Sequence, residues 1–280
     1  MSRPSLASAR VVAPGMRRLL VVAGTLVALA GIQLFVFSER TEEYFAWTID
    51  PPLTAAFLGA AYWSSVFFQF AAAREKIWAN ARIAVPTVLV FTALTLGVTL
   101  LHLENFHLGA SFGAATRAVT WGWIAIYATV PVVMASLWLV QAWRPGGDPE
   151  RVAALPSWVR VLVAAQALLL GAMGLALLVS PTSAADWWPW PLTALTGRAI
   201  GAWVVSLGVA AAHALVENCA RRLRPAALGY VAFSLLQAWA LARYPGDFAW
   251  SSGPGIVYLG FLASTLVAGV TVLPLSRQTP

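Results

Sequence analysis

The chain has one cysteine, Cys219, one lysine, Lys76, and only 10% charged residues in a length of 280. A lone cysteine excludes an intramolecular disulfide and a cysteine-built metal site. So few charges exclude a soluble domain, which would have too little polar surface to cover itself. No Asp or Glu falls in the middle of an apolar run, so the carboxylate that usually couples protons to transport is missing. No phosphate-binding loop, HExxH, GxSxG or dinucleotide fingerprint occurs. The formal net charge of +7 would suit nucleic acid. The arginines, however, sit in short clusters at the ends of apolar runs and form no continuous basic face, so no nucleic-acid partner is expected.

What is present is apolar sequence, 60% of the chain, with a mean hydropathy of +0.75. It falls into eight runs: 19–37, 53–73, 83–103, 119–140, 161–179, 191–216, 226–242 and 255–275. Each is long enough for a helix to cross about 30 Å of hydrocarbon. The runs are apolar all round and do not alternate with period two, which excludes barrel strands. The fold class is therefore all-α, a polytopic membrane protein of about eight transmembrane helices whose first partner is the lipid bilayer. Arg17 and Arg18 before the first run give it the look of a secretory signal, with Ala28-Leu29-Ala30 resembling a cleavage site. The run continues apolar to Phe37, which favours a retained signal anchor.

Charge sets the orientation. With the N-terminus cytoplasmic, Arg3, Arg10, Arg17, Arg18, Arg74, Lys76, Arg82, Arg144, Arg151, Arg160, Arg221, Arg222, Arg224 and Arg277 lie inside. Only Arg40, Arg117, Arg198 and Arg243 lie outside, together with most of the acids. Both termini are then cytoplasmic, and the expected location is the inner (cytoplasmic) membrane. The organisation is a tail at 1–17, a four-helix unit at 18–143, a Pro/Gly-rich cytoplasmic linker at 144–157 and a second four-helix unit at 158–280.

The two units align without gaps at an offset of 142 residues. Arg18 meets Arg160, Leu53-Thr54 meets Leu195-Thr196, Gly59-Ala60 meets Gly201-Ala202, Glu75 meets Glu217, Arg82 meets Arg224, and Phe91 meets Phe233. Four spans per unit make the copies parallel repeats. Ala55-x-x-x-Gly59 and Gly197-x-x-x-Gly201 occupy one place in the two copies and predict a close helix–helix contact on the second span of each. Glu75/Arg82 and Glu217/Arg224 read as loop ion pairs within each copy. His213 and Glu217 are four apart and share a helix face.

The candidate functional residues lie at the outer end. Leu101–His107 supplies His102, Glu104, Asn105 and His107. Imidazole and carboxylate could hold a transition ion. A five-residue spacing, however, turns the two histidines about 140° apart on a continuous helix. His213 lies near the opposite membrane face and cannot share a haem with His102. No metal and no cofactor are expected; the bland reading is a polar cap bonded to loops. Arg198, two turns inside its span if the helix starts at Pro191, is a second candidate. Asp186, Asp247 or Glu104 would neutralise it. An outer cavity holding Arg198, Arg243, Asp247, Glu104, Asn105, His102 and His107 would suit a small polar or anionic ligand. Trp47, Trp63, Trp78, Trp121, Trp187, Trp188, Trp190, Trp239 and Trp250 read mostly as an interfacial belt. Mid-span polarity is limited to groups such as Gln166 and Gln237.

The segments YFAWTI-x-PPLTAAFLGA and LHL-x-x-FH resemble those of a family of bacterial multi-pass membrane proteins with no assigned function. The resemblance covers most of the chain and implies no activity. Three functions compete. The first is binding or transport of a small molecule or lipid, at an outward-facing cavity or the seam between repeats. The second is an accessory subunit of a membrane complex, partnering other membrane subunits or a second copy. An enzyme using the His102/Glu104/His107 edge comes last, since no catalytic constellation closes.

Overall fold

Residues 9–277 are described by the computed structural model; Arg3 lies outside the described residues. Among the described residues eight helices are long and apolar enough to span a membrane, and the chain is a multi-pass membrane protein. They are α1 (Pro14–Gly31, extended by a wide turn at Ile32–Val36), α2 (Pro52–Arg74), α3 (Ala84–Leu101) and α4 (Ala114–Ala142), then α5 (Ser157–Val179), α6 (Ala194–Glu217), α7 (Ala220–Arg243) and α8 (Gly253–Leu275). No strand forms among the described residues, only three isolated backbone bridges.

Small residues put α2 and α6 at the centre. Their spans are 72% and 61% buried, against about a third or less for α1, α4, α5 and α8. A Cβ on Gly59 would fall 2.5 Å from the backbone nitrogen of Phe35, so α2 rests on the end of α1 with only a hydrogen between them. In the same way a Cβ on Gly201 would fall 2.9 Å from the carbonyl oxygen of Gly174 and 3.0 Å from Leu177. The small-residue strips therefore make the close contacts their spacing predicts. Phe35 and Leu177 are themselves one offset apart. Within each half the first helix packs on the second and the third on the fourth; across the halves, α2 packs on α7 and α6 on α3.

Several helix starts differ from the hydropathy reading, and a polar cap decides that of the sixth span. The sixth span starts at Ala194, not Pro191. Thr193 Oγ1 accepts from Thr196 N at 3.2 Å, and Thr193 N donates to Thr196 Oγ1 at 3.0 Å. The seventh starts at Ala220, with Pro225 inside it. Asn218, in the left-handed conformation at φ 38°, turns the chain between α6 and α7. The 144–157 linker is docked on that turn: Ala220 N donates to Ala153 O, and Leu155 N to Asn218 Oδ1.

The ion pairs expected within each half run mainly across them. Buried Glu217 receives Arg82 from the other half, along with Arg222 at 2.8 Å and His213 at 3.2 Å. Asp148 of the linker joins Arg82 at 2.5 Å. Glu75 receives Asn80 Nδ2 at 3.2 Å and Arg221 at 3.7 Å. These groups share the face that carries the N-terminal segment, where Arg17 also donates to Glu75 O at 3.1 Å. The tryptophans divide as well. Trp121, Trp187, Trp239 and Trp250 are exposed, whereas Trp47, Trp78 and Trp190 are core residues.

Candidate functional site

The polar residues expected to share one outer cavity are divided among separate partners. His102 follows the last turn of α3 and is buried, with Nε2 2.8 Å from Arg198 Nη1. A guanidinium only donates, so Nε2 accepts and the imidazole proton sits on Nδ1, 3.8 Å from Glu104. Arg198 Nε donates to Leu178 O at 3.0 Å, capping a carbonyl at the end of α5. Burial, then the Arg198 charge, lower the His102 pKa from its ordinary value, and Glu104 opposes them. Because α6 starts at Ala194, Arg198 lies about one turn inside the helix rather than two. Asp186, Asp247 and Glu104 form no ion pair with it among the described residues.

His107 is fully committed elsewhere. It is 2% exposed, Nδ1 donates to Phe45 O at 3.0 Å, Nε2 accepts from Thr48 Oγ1 at 3.0 Å, and the ring stacks on Phe112. It ties the loop after α3 to the loop before α2, and burial lowers its pKa. The two histidines thus serve different partners. No group of three His, Cys, Asp or Glu side chains converges among the described residues. Asn105 Nδ2 donates to Glu104 Oε1 at 3.0 Å on the exposed rim.

Arg243 and Asp247 act on the first half. The Arg243 guanidinium donates to Phe35 O, to Ser38 Oγ at 3.3 Å and to Tyr244 Oη at 3.0 Å, and packs over the rings of Phe35 and Tyr244. Asp247 Oδ2 accepts from Leu53 N at 3.3 Å, serving the first turn of α2. No hydrogen bond or ion pair joins either of them to the Arg198–His102 pair among the described residues.

The open space lies on the flank of the second half. A crevice of about 370 Å³ separates α5 from α8, which pack only loosely together. Leu162–Met173 of α5 forms one wall and Pro254–Ser264 of α8 the other. Phe57 of α2 and Phe233 of α7 form the back, and Trp187, Trp188 and Pro189 roof it. Leu169, Val257 and Trp187 are exposed lips, so the crevice opens sideways on the apolar flank. Each wall is about 15 Å long, roughly one leaflet's depth. By contrast, the seam between the halves holds cavities of about 40 and 50 Å³, lined by Ser64, Phe68, Thr87 and Ser206 among others. These are room for a few waters only.

Two mid-span glutamines that look alike in the sequence differ here. Gln237 has both amide atoms bonded, Nε2 to Phe57 O at 3.0 Å and Oε1 from Tyr258 Oη at 3.1 Å. Gln166 lines the crevice, is 4% exposed, and donates through Nε2 to Ser264 Oγ at 2.8 Å, but its Oε1 is buried with no partner. Trp188 Nε1, at the roof, is also buried without one. Gly260 has open space where a Cβ would project. Of these residues, Gln166 and the Trp187–Trp188 pair leave a trace in the sequence as polar or aromatic exceptions; nothing in the sequence brings Gly260 to them. No protein-family model, curated protein or solved structure matches the chain significantly.

Proposed function

We propose that the protein binds an apolar, lipid-like small molecule in the lateral crevice between α5 and α8. The observation that carries this reading is the crevice itself. At about 370 Å³ it has the size of a ligand site, and its walls are apolar and aromatic with a few polar atoms among them. It opens on the flank that faces lipid, so a ligand enters from the bilayer without crossing water. Arg198, Arg243, Asp247 and His107 are bonded to helix ends and loops, which favours the crevice over the polar outer residues as the site.

On the same reading the chain is two parallel four-helix repeats. The equivalent contacts Gly59 on Phe35 and Gly201 on Leu177 support this, as do Asn80–Glu75 and Arg222–Glu217, each one offset apart. The positions matching the crevice in the first half include Phe45, Trp47 and Tyr62, all buried. Trp47 stands where the second copy has Pro189, and Tyr62 where it has Val204, so larger side chains fill part of the matching space in the first half. The arginine-rich face is placed in the cytoplasm, which puts the Trp188 roof in the outer leaflet of the inner membrane. The test is photolabelling in nanodiscs with a diazirine-bearing alkane. Adducts concentrated on 162–173 and 254–264 support the reading; adducts spread evenly round the apolar flank overturn it.

A further inference from the structure

The crevice carries a polar specification that an apolar slot alone does not need. Ser264 Oγ lies 2.7 Å from Phe261 O, a carbonyl that can only accept, so the hydroxyl proton is spent there. Towards Gln166, Ser264 must therefore accept, which turns the amide nitrogen of Gln166 to it and leaves Oε1 over. Oε1 is buried without a partner in a side chain 4% exposed. It lies near the middle of α5, where bilayer water does not reach. Gln166 lines the crevice, so a turn of its side chain towards the space brings this unpaired acceptor to a donor on whatever occupies it. The donor is uncharged, since no ionisable side chain except Tyr258 lines the crevice and Tyr258 already donates to Gln237.

We infer that the ligand is a neutral lipid alcohol: a chain-like apolar body that fills the slot and carries a hydroxyl donating to Gln166 Oε1. This rests on the proposed binding at the crevice and adds the chemical class. Trp188 Nε1 offers a donor at the roof. A hydroxyl and an ether oxygen can both accept from an indole N–H, whereas only the hydroxyl can donate to Gln166. An alcohol and its methyl ether, alike in chain, therefore separate the two contacts.

The test uses the full chain in phosphatidylcholine nanodiscs, labelled by a diazirine-bearing alkane, with dodecanol and dodecyl methyl ether as competitors. Dodecanol is expected to compete about tenfold better than the ether, the effect of satisfying one buried acceptor. Gln166→Leu is expected to remove that difference while labelling persists, because Ser264 keeps its own bond to Phe261 O. Equal competition by alcohol and ether in the unaltered protein overturns the inference and leaves lipid binding standing. A preference that survives Gln166→Leu also overturns it. Absence of crevice labelling by the alkane removes the binding reading itself, and the inference with it.

Discussion

Arg198 Nη1 donates to Nε2 of His102 at 2.8 Å, joining the second helix of one half to the third helix of the other. Arg243 makes the counterpart link, from the end of α7 to Phe35 O at the end of α1. Each guanidinium covers carbonyls that a helix C-terminus leaves unpaired. Arg198 thus ties the halves through His102 and caps α5 within its own half, while Arg243 ties the halves at Phe35.

His102 is therefore a stability group with a definite pH sign. Its folded pKa lies below the ordinary value of about 6.5, so the unfolded chain binds more protons. The stability it contributes is full above about pH 6.5 and is lost as pH falls from there through the folded pKa. His107, lowered in the same direction, adds to the loss. The thermal midpoint should fall on mild acidification, and His102→Gln should remove part of that fall. In Arg198→Met, the His102 pKa read by NMR should rise; an unchanged value would remove the Arg198 charge from the explanation.

Arg243→Ala leaves Phe35 O and Ser38 without their charged donor. The expected cost is about 2 kcal/mol, the scale of a hydrogen bond to a charged group. Thermal unfolding should register it, whereas crevice labelling should hardly change, because Arg243 does not line the crevice.

Glu217 is buried under two arginines, so Glu217→Ala leaves both with Asp148 as their one remaining carboxylate, at 2.5 Å from Arg82 and 3.7 Å from the buried Arg222. The expected loss is about 3–5 kcal/mol. A double-mutant cycle on Arg82 and Glu217 should give a coupling of about 1–3 kcal/mol. The same cycle on Arg82 and Glu75, neighbours in sequence but not paired, should give close to none.

Glycines separate packing from open space. Gly201→Val drives a side chain against Gly174 O and Leu177, and should cost roughly 1–3 kcal/mol through overpacking. A Cβ on Gly260 meets no atom within 4 Å, so Gly260→Leu should leave the thermal midpoint near its original value.

Much of the fold was legible because a bilayer makes hydropathy decisive. The eight spans, the all-helical class and the close contacts at Gly59 and Gly201 all follow from local pattern. Helix starts were less so: Pro191 drew the sixth span too early, although Thr193-x-x-Thr196 carries the cap that sets it at Ala194. Partner choice was not legible. Arg82 has Glu75 seven residues away, yet reaches Glu217, because the loops of the two halves meet on one face. The candidate site was read as a polar cluster, since ionisable residues near an apolar run stand out. The crevice does not stand out, being a gap between α5 and α8 that exists only in three dimensions. Gln166 and Gln237 have the same chemistry, and only their neighbours distinguish a satisfied amide from an open one.

The most direct test of lipid binding is to fill the crevice and measure labelling. Gly260 lines the crevice and a Cβ on it meets open space, so Gly260→Phe adds a ring at the crevice wall; Gly97→Phe adds the same ring in open space on α3, which does not line the crevice. Diazirine-alkane labelling of 162–173 and 254–264 should fall at least about tenfold in Gly260→Phe, since overlap with the ligand costs more than one lost contact. It should stay unchanged in Gly97→Phe. Equal labelling of the two variants would contradict the account.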